Sequence, residues 1–188
     1  MTINCNGKLI DLTSPKVMGI LNVTPNSFYD GGKHSEINVI LKQVEKMLLE
    51  GATFIDVGGY SSKPNAEEVS EEQELQRILP VVQNISKEFP NTVISIDTFR
   101  SKVAQAAVEN GAAIINDISA GSLDANMMKT VAQLQVPYIM MHMKGTPQTM
   151  QSLAQYENIV KEMLFYFLSF PGIGDMNLSV FCLNHKGV

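Results

Sequence analysis

Polar side chains recur in this sequence where short apolar stretches end. The residues concerned are Asn22, Asp56, Asp97 and the pair Asn116–Asp117. Carboxylate and carboxamide groups are costly to bury unless a ligand, a cation or a hydrogen-bond donor satisfies them. Each residue taken alone is explained equally well as a helix cap or as a contact that fixes a loop. Their repetition at successive strand ends favours one shared binding site.

The first of these stretches opens into a loop that is rich in polar residues. Residues 17–23 read as a buried strand, and Thr24-Pro25 disfavours helix directly after it. Gly31-Gly32 then supplies backbone freedom. We therefore expect Asn22, Thr24, Asn26, Ser27 and Asp30 to emerge together at the carboxyl end of this strand.

The elements that position these residues follow a repeated order of strand and helix. Apolar runs are found at Val17–Val23, Phe54–Val57, Val93–Ile96, Ala113–Ile118 and Tyr138–Met143, and helical patterns separate them. This order predicts an α/β fold with a parallel sheet and right-handed crossovers, either an open doubly wound sheet or a (β/α) barrel. No strand is followed by a G-x-G-x-x-G turn or a P-loop, which weakens the nucleotide-binding open sheet.

Local signals place the flanking elements. Asn6-Gly7 between short apolar alternations predicts an N-terminal β-hairpin. Ser70 and Gln73 have capping-box spacing at the start of a helix, and we expect Pro80 to kink or restart that helix.

Composition limits the kinds of protein that this chain can represent. A length of 188 residues favours one domain, and the net charge of -5 argues against a general nucleic-acid surface. Two cysteines provide no disulfide framework, which favours a reducing compartment, the cytoplasm. We find no leader pattern and no apolar run long enough to cross a membrane.

The polar strand ends and loops together resemble the motifs of dihydropteroate synthases, the pterin-binding enzymes of folate synthesis. The matching stretches, in the family's order, are residues 18–32, 56–64, 95–98, 116–119 and 141–145. The resemblance selects the barrel and implies condensation of 6-hydroxymethyl-7,8-dihydropterin pyrophosphate with p-aminobenzoate, as well as a sulfonamide target. It covers the chain from about Met18 to Lys161.

The resemblance also implies roles for individual residues. Asn22 would hold Mg²⁺, the implied cofactor, and would form the catalytic set with Asp97 and Asn116. The implied substrate-binding residues are Thr24, Pro25, Phe28, Asp30, Ser61, Ser62, Lys63, Pro64, Asp97, Asn116, Ile118 and Met141. The family more often has arginine where Lys63 stands, and lysine lacks the guanidinium fork. His142 has no second ligand at metal spacing, so we expect a structural role for it.

The resemblance ends near the C-terminus. A complete barrel has eight βα units in about 250 residues, whereas the patterns here give about five. Phe170 replaces the aspartate of the family's D-P-G-x-G motif, and the late Ser-x-Lys and Arg-x-His motifs are missing. We therefore expect an incomplete barrel over residues 1–168 and a divergent tail over residues 169–188.

Several interpretations remain open at this point. The chain is expected to be a truncated or rearranged synthase with weak catalysis or none, and a homodimer is one expected assembly. The alternatives are a related pterin-binding methyltransferase domain and an inactive fragment that binds a partner through an uncovered strand edge.

Overall fold

The sheet at the centre of the fold contains five parallel strands. The computed structural model describes residues 1–23, 33–60, 69–146 and 148–170. In these ranges the strands are β1 Thr2–Cys5, β2 Lys8–Asp11, β3 Val17–Asn22, β4 Ala52–Gly58, β5 Val93–Asp97, β6 Ile114–Asp117 and β7 Tyr138–Met140. The helices are α1 Lys33–Leu49, α2 Glu71–Glu88, α3 Ser101–Glu109, α4 Met127–Leu134 and α5 Ile159–Leu168.

The strand order supports the barrel rather than the open sheet. The parallel strands lie in the order β3-β4-β5-β6-β7, so each strand pairs with the one that precedes it in the chain. A doubly wound sheet reverses its order at a switch point and carries helices on both faces, whereas a barrel does neither. The predicted (β/α) barrel type is therefore confirmed for the part of the chain that the structure describes.

The helices cover one face of the sheet. Ile55, Val57, Ile94 and Ile96 alternate along β4 and β5 and pack with buried residues of α1, α2 and α3. Tyr138 and Met140 of β7 continue this layer and pack against α3, α4 and α5. Side chains alternate between the faces of a strand, so the residues between these form the opposite, inner face.

The N-terminal hairpin covers the inner face at the amino ends of the parallel strands, which we call its lower end. β1 and β2 pair antiparallel around Asn6-Gly7, which confirms the predicted hairpin. Ile3 and Cys5 pack against Phe54, Val93 and Ile114 near the amino ends of the strands. Phe54, Val93 and Ile114 are thereby buried, whereas Ile20 of β3 on the same face is 69% exposed. The polar groups of this face lie nearer the carboxyl ends of the strands.

Two local predictions differ from the structure. α2 continues through Pro80 to Glu88, so the expected restart at Pro80 is wrong. Ile78, Val81 and Val82 are all buried, and this packing on both sides of Pro80 offsets the missing backbone donor. β7 ends at Met140 rather than Met143.

Within the described ranges, no helix combines the length and the apolar character that a bilayer crossing requires.

A buried hydrogen bond between β6 and β7 provides a test of the outer layer. The Tyr138 hydroxyl donates to Oδ2 of buried Asp117 at 2.7 Å. We expect Tyr138→Phe to lower the free energy of unfolding by about 1–3 kcal/mol, because a charged acceptor loses a donor inside the protein. Urea denaturation measures this loss, with Tyr156→Phe as the matched control. Equal stability of the two variants would contradict the assignment.

Candidate functional site

The candidate catalytic residues lie in one row across the carboxyl end of the sheet. Asn22 is in register with Gly58, Gly58 with Asp97, and Asp97 with Asn116. Residues in register on neighbouring parallel strands share a face, so this row lies on the inner face, opposite the helices. The structure thus brings together the three residues that the sequence predicted as catalytic.

Gly58 separates the two oxygen-bearing side chains on either side of it. A Cβ at this position would lie 3.4 Å from Oδ2 of Asp97 and 3.8 Å from Oδ1 of Asn22. Because glycine has no side chain, both oxygens face a common space above β4. A side chain larger than methyl at Gly58 would fill that space.

Asp56 lies two residues before Gly58 on β4, on the amino-terminal side of the row, and orients Asn116. Nδ2 of Asn116 donates to Oδ2 of Asp56 at 3.0 Å. Asp56 is 5% exposed, and its Oδ1 accepts no hydrogen bond from any described residue. Burial raises the pKa of Asp56, while the bond from Asn116 acts in the opposite direction. With its amide nitrogen engaged by Asp56, Asn116 retains a carbonyl oxygen as an acceptor for a ligand.

Asp97 provides the carboxyl group of the row. Burial, followed by the negative charges of Asp56, Asp117 and Glu74, raises the pKa of Asp97 to about 8. A carboxyl group with this pKa retains its proton over much of the neutral range, so it offers a donor as well as an acceptor. Such a pair of functions suits a planar ligand with alternating donors and acceptors.

Asp117 does not belong to this row. It is fully buried on the helix-facing side of β6, and its carboxylate accepts hydrogen bonds from the hydroxyl of Tyr138 and from Ser119 and the backbone of Gly121. Burial raises its pKa, and these donors oppose the increase. The expectation that Asn116 and Asp117 reach the site together is therefore wrong for Asp117, because successive strand residues face opposite sides.

The remaining predicted residues divide into two groups. Ile118 follows β6 directly, Met141 follows β7, and both are half-buried at the same end of the sheet as the row. The backbone N–H of Met141 donates to the carbonyl of Asp117 at 3.1 Å, which extends the strand pairing by one residue. Thr24, Pro25, Phe28, Asp30, Ser61, Ser62, Lys63 and Pro64 lie outside the described residues, and so does most of the predicted tail.

His142 lies in an aromatic cluster beside the row. Its ring packs edge-on against Tyr166 with centroids 4.6 Å apart, and the Tyr156 hydroxyl lies 3.4 Å from Nδ1. Burial and the positive charge of Lys144 lower the pKa of His142. These contacts fit the structural role expected from the sequence.

The donor set fits magnesium in kind. Among the described residues, no group of three or more His, Cys, Asp or Glu side chains could hold a metal ion. Mg²⁺ commonly takes only one or two protein oxygens and completes its shell with water and substrate phosphates. Asn22 presents such an oxygen toward the space above Gly58, so it is the described residue that would hold the ion.

The sequence placed Asp56 among the polar strand ends but assigned no catalytic or binding role to Asp56 or Gly58. A carboxylate within the apolar run Ile55-Asp56-Val57, with a glycine two residues later, is the available signal. Its period of two places Asp56 and Gly58 on one face, but the contact with Asn116 depends on a strand 60 residues away.

This chain is similar to known proteins over most of its length. Residues 18–170 match the family described as pterin binding enzyme. The dihydropteroate synthase of Haemophilus influenzae is 45% identical over 166 residues, which are 88% of this chain and 60% of that protein. The chain thus spans about three fifths of the length of this curated relative.

Solved structures agree with this match. The Yersinia pestis dihydropteroate synthase with a sulfonamide drug complex superimposes with a TM-score of 0.78 at 38% identity, covering 89% of this chain and 60% of that one. The Xanthomonas albilineans dihydropteroate synthase in complex with 7,8-dihydropteroate gives a TM-score of 0.80 at 30% identity, covering 100% and 66%.

The raised pKa of Asp97 predicts a specific pH dependence of stability. Between pH 3.8, the ordinary pKa of an aspartate, and about pH 8, the folded state retains the Asp97 proton that the unfolded state has released. The contribution of the protonated Asp97 to stability is complete below pH 3.8 and is lost as the pH rises toward 8, so stability falls across this range.

The substitution Asp97→Asn removes this titration. We expect the difference in unfolding free energy between this variant and the unmodified chain to grow in the variant's favour as the pH rises from about 5 to about 8, because only the unmodified chain releases this proton on unfolding and a higher pH favours that release. Urea denaturation at several pH values measures the difference. Parallel pH curves for the two proteins would refute the assignment.

Proposed function

The chain belongs to the pterin binding enzyme family, and on this premise we propose that it carries out the dihydropteroate synthase reaction. In that reaction 6-hydroxymethyl-7,8-dihydropterin pyrophosphate and p-aminobenzoate give 7,8-dihydropteroate and pyrophosphate. The observation that carries the proposal is the row of Asn22, Asp97 and Asn116 in register at the carboxyl edge of the sheet. Barrel enzymes place their active sites at this edge.

The pterin ring fits the groups at the centre of the row. Its edge presents amino, ring-nitrogen and carbonyl groups in one plane. Asn116 offers a carbonyl oxygen whose orientation Asp56 fixes, and Asp97 offers a carboxyl group that is protonated over much of the neutral range. Ile118 and Met141 would contact the flat faces of the ring.

The charged part of the substrate belongs at the other end of the row. Asn22 would hold Mg²⁺ together with the pyrophosphate, and the ion would supply electrostatic stabilisation to the leaving group. Thr24, Pro25, Phe28 and Asp30 of the first loop and Ser61–Pro64 of the second are the proposed further contacts. Their roles rest on the family resemblance.

The proposed chemistry is a displacement at the methylene carbon attached to the pterin. The amine nitrogen of p-aminobenzoate forms a bond to this carbon, the bond from the carbon to the pyrophosphate oxygen breaks, and the nitrogen releases a proton. The residues of this chain bind the pterin and orient its methylene carbon toward the amine. Such positioning accounts for much of the acceleration when two substrates must meet.

The proposal also covers the location and the assembly of the chain. A cytoplasmic location is supported by the absence of a disulfide framework in the sequence. A homodimer is supported by the exposure of Leu164 and Phe165 on α5, and light scattering measures the assembly.

Ligand-dependent unfolding tests the proposal. A ligand that binds only the folded state stabilises it by about 2.7 kcal/mol at a hundred times its dissociation constant. We expect 6-hydroxymethylpterin to raise the unfolding temperature of the unmodified chain, and Asn116→Ala to abolish most of this rise because the ring loses its oriented acceptor. Asn84→Ala, in the second half of α2, is the matched control and should leave the rise unchanged.

Two outcomes would contradict the proposal. The first is an unfolding temperature of the unmodified chain that pterin, pyrophosphate and Mg²⁺ all leave unchanged. The second is stabilisation by a methylated folate with none by pyrophosphate or p-aminobenzoate, which would indicate the related methyltransferases instead.

A further inference from the structure

Arg100 connects the segment after β4, the start of α2 and the start of α3. We call the cluster of Tyr60, Val69, Glu74 and Arg100 the rim of the candidate site. Arg100 directly precedes α3, and its guanidinium Nη2 donates to the carbonyl of Val69 at 2.6 Å. Nη1 forms an ion pair with the Glu74 carboxylate of α2. The Arg100 side chain is 17% exposed and that of Glu74 is 1% exposed, so this ion pair is largely removed from water.

The same guanidinium contacts two aromatic rings. Its Cζ lies 5.5 Å from the centroid of the Tyr60 ring and 4.9 Å from that of Phe99. The two rings pack edge to face with centroids 5.3 Å apart. A cation held over aromatic faces in a partly buried position contributes to the fixing of both rings.

Tyr60 and Val69 are the described residues on either side of residues 61–68. Arg100 contacts both of them, so one side chain fixes the distance between these two points. From the other side, Nη1 of Arg77 donates to the carbonyl of Gly59 at 3.1 Å. A Cβ at Gly59 would lie 2.7 Å from Cγ2 of Ile78, so α2 packs directly against this backbone.

Asp97 is positioned independently of Arg100. It pairs in register with Gly58 on one side and with Asn116 on the other, so the sheet itself fixes its backbone. Loss of the Arg100 contacts would therefore change the rim at Tyr60 and Val69 before it changed the row that is assigned to the pterin.

We propose that Arg100, together with Glu74, is a positioning residue that fixes Tyr60 and Val69 for binding of the pyrophosphate part of the substrate. This inference rests on the proposed function, in which the family resemblance implies contacts of Ser62 and Lys63 to pyrophosphate and p-aminobenzoate. In this role Arg100 acts on the substrate indirectly, through Val69, Glu74 and the two rings that its guanidinium contacts. Its loss weakens pyrophosphate binding and leaves pterin binding nearly unchanged.

The test compares three variants of the 188-residue chain. Arg100→Lys keeps the charge but cannot hold Val69, Glu74 and the rings at once. The double variant Arg100→Met/Glu74→Met removes both partners, so that no buried carboxylate is left unpaired. Lys102→Met is the matched control, because Lys102 pairs with Glu71 across the same two helices at 3.0 Å but is 78% exposed.

Two measurements are made on each variant. Calorimetric titration gives the affinities for inorganic pyrophosphate with Mg²⁺ and, separately, for 6-hydroxymethylpterin. We expect Arg100→Lys, which keeps the Glu74 charge that acts on Asp97, to bind pyrophosphate about tenfold more weakly and pterin less than about twofold more weakly, because only preorganisation of the rim is lost. We expect the double variant to show the same tenfold loss for pyrophosphate. Hydrogen exchange should become faster at residues 59–60 and 69–70, and the control should match the unmodified chain in both measurements.

Either of two results overturns the inference. One is an equal loss of affinity for both ligands in Arg100→Lys, and the other is unchanged hydrogen exchange at residues 59–60 and 69–70. If the unmodified chain binds neither ligand, the proposed function and the ligand role of Arg100 both fail, whereas the exchange data still decide whether Arg100 fixes Tyr60 and Val69.

Discussion

Parallel pairing at the carboxyl edge of the sheet is the constraint on which the candidate site depends. Asn22, Gly58, Asp97 and Asn116 come from four segments of the chain, and consecutive backbone ladders place them side by side. A shift of one residue in any ladder would turn a side chain of the row toward the helices. The buried Ile and Val residues of the opposite face oppose such a shift, because it would bring them to the inner face. The helix-facing core thus preserves the alignment of the polar row.

The inner face changes from apolar to polar along the strands. At its lower end Phe54 and Val93 pack against the N-terminal hairpin, and two residues further along lie Asp56 and Ser95. Carboxylates in such surroundings are destabilising when ionised, which is the physical cause of the raised pKa values of Asp56 and Asp97. Active sites commonly contain groups perturbed in this way, because an arrangement that favours a ligand differs from one that maximises stability.

The rim depends on side chains of the helices as well as on the strands. The capping box formed by Ser70 and Gln73 fixes the start of α2, and the first turn of this helix carries Glu74, the partner of Arg100. The strand ladders position the residues assigned to the pterin, whereas this ion pair positions the backbone on either side of residues 61–68. Different interactions thus position the residues proposed to bind the two ends of the substrate.

The local patterns of the sequence determined much of the fold. Periodicity located the five parallel strands of the described ranges, and Asn6-Gly7 between apolar alternations located the hairpin. The motifs identified Asn22, Asp97 and Asn116 as a set. Errors arose where packing overrides a local rule. Pro80 remains within α2 because buried residues on both sides maintain the helix, and Asp117 is a structural residue because its face carries Tyr138.

The sequence by itself determined which segments are strands and helices and which polar residues stand at strand ends, because both follow from the order of residues along the chain. Only the tertiary structure decided that Asp56 orients Asn116 and that Arg100 joins Tyr60 to Val69. These contacts link residues that are tens of positions apart. Distances across the sheet and around the rim depend on how the segments pack, which no local pattern records.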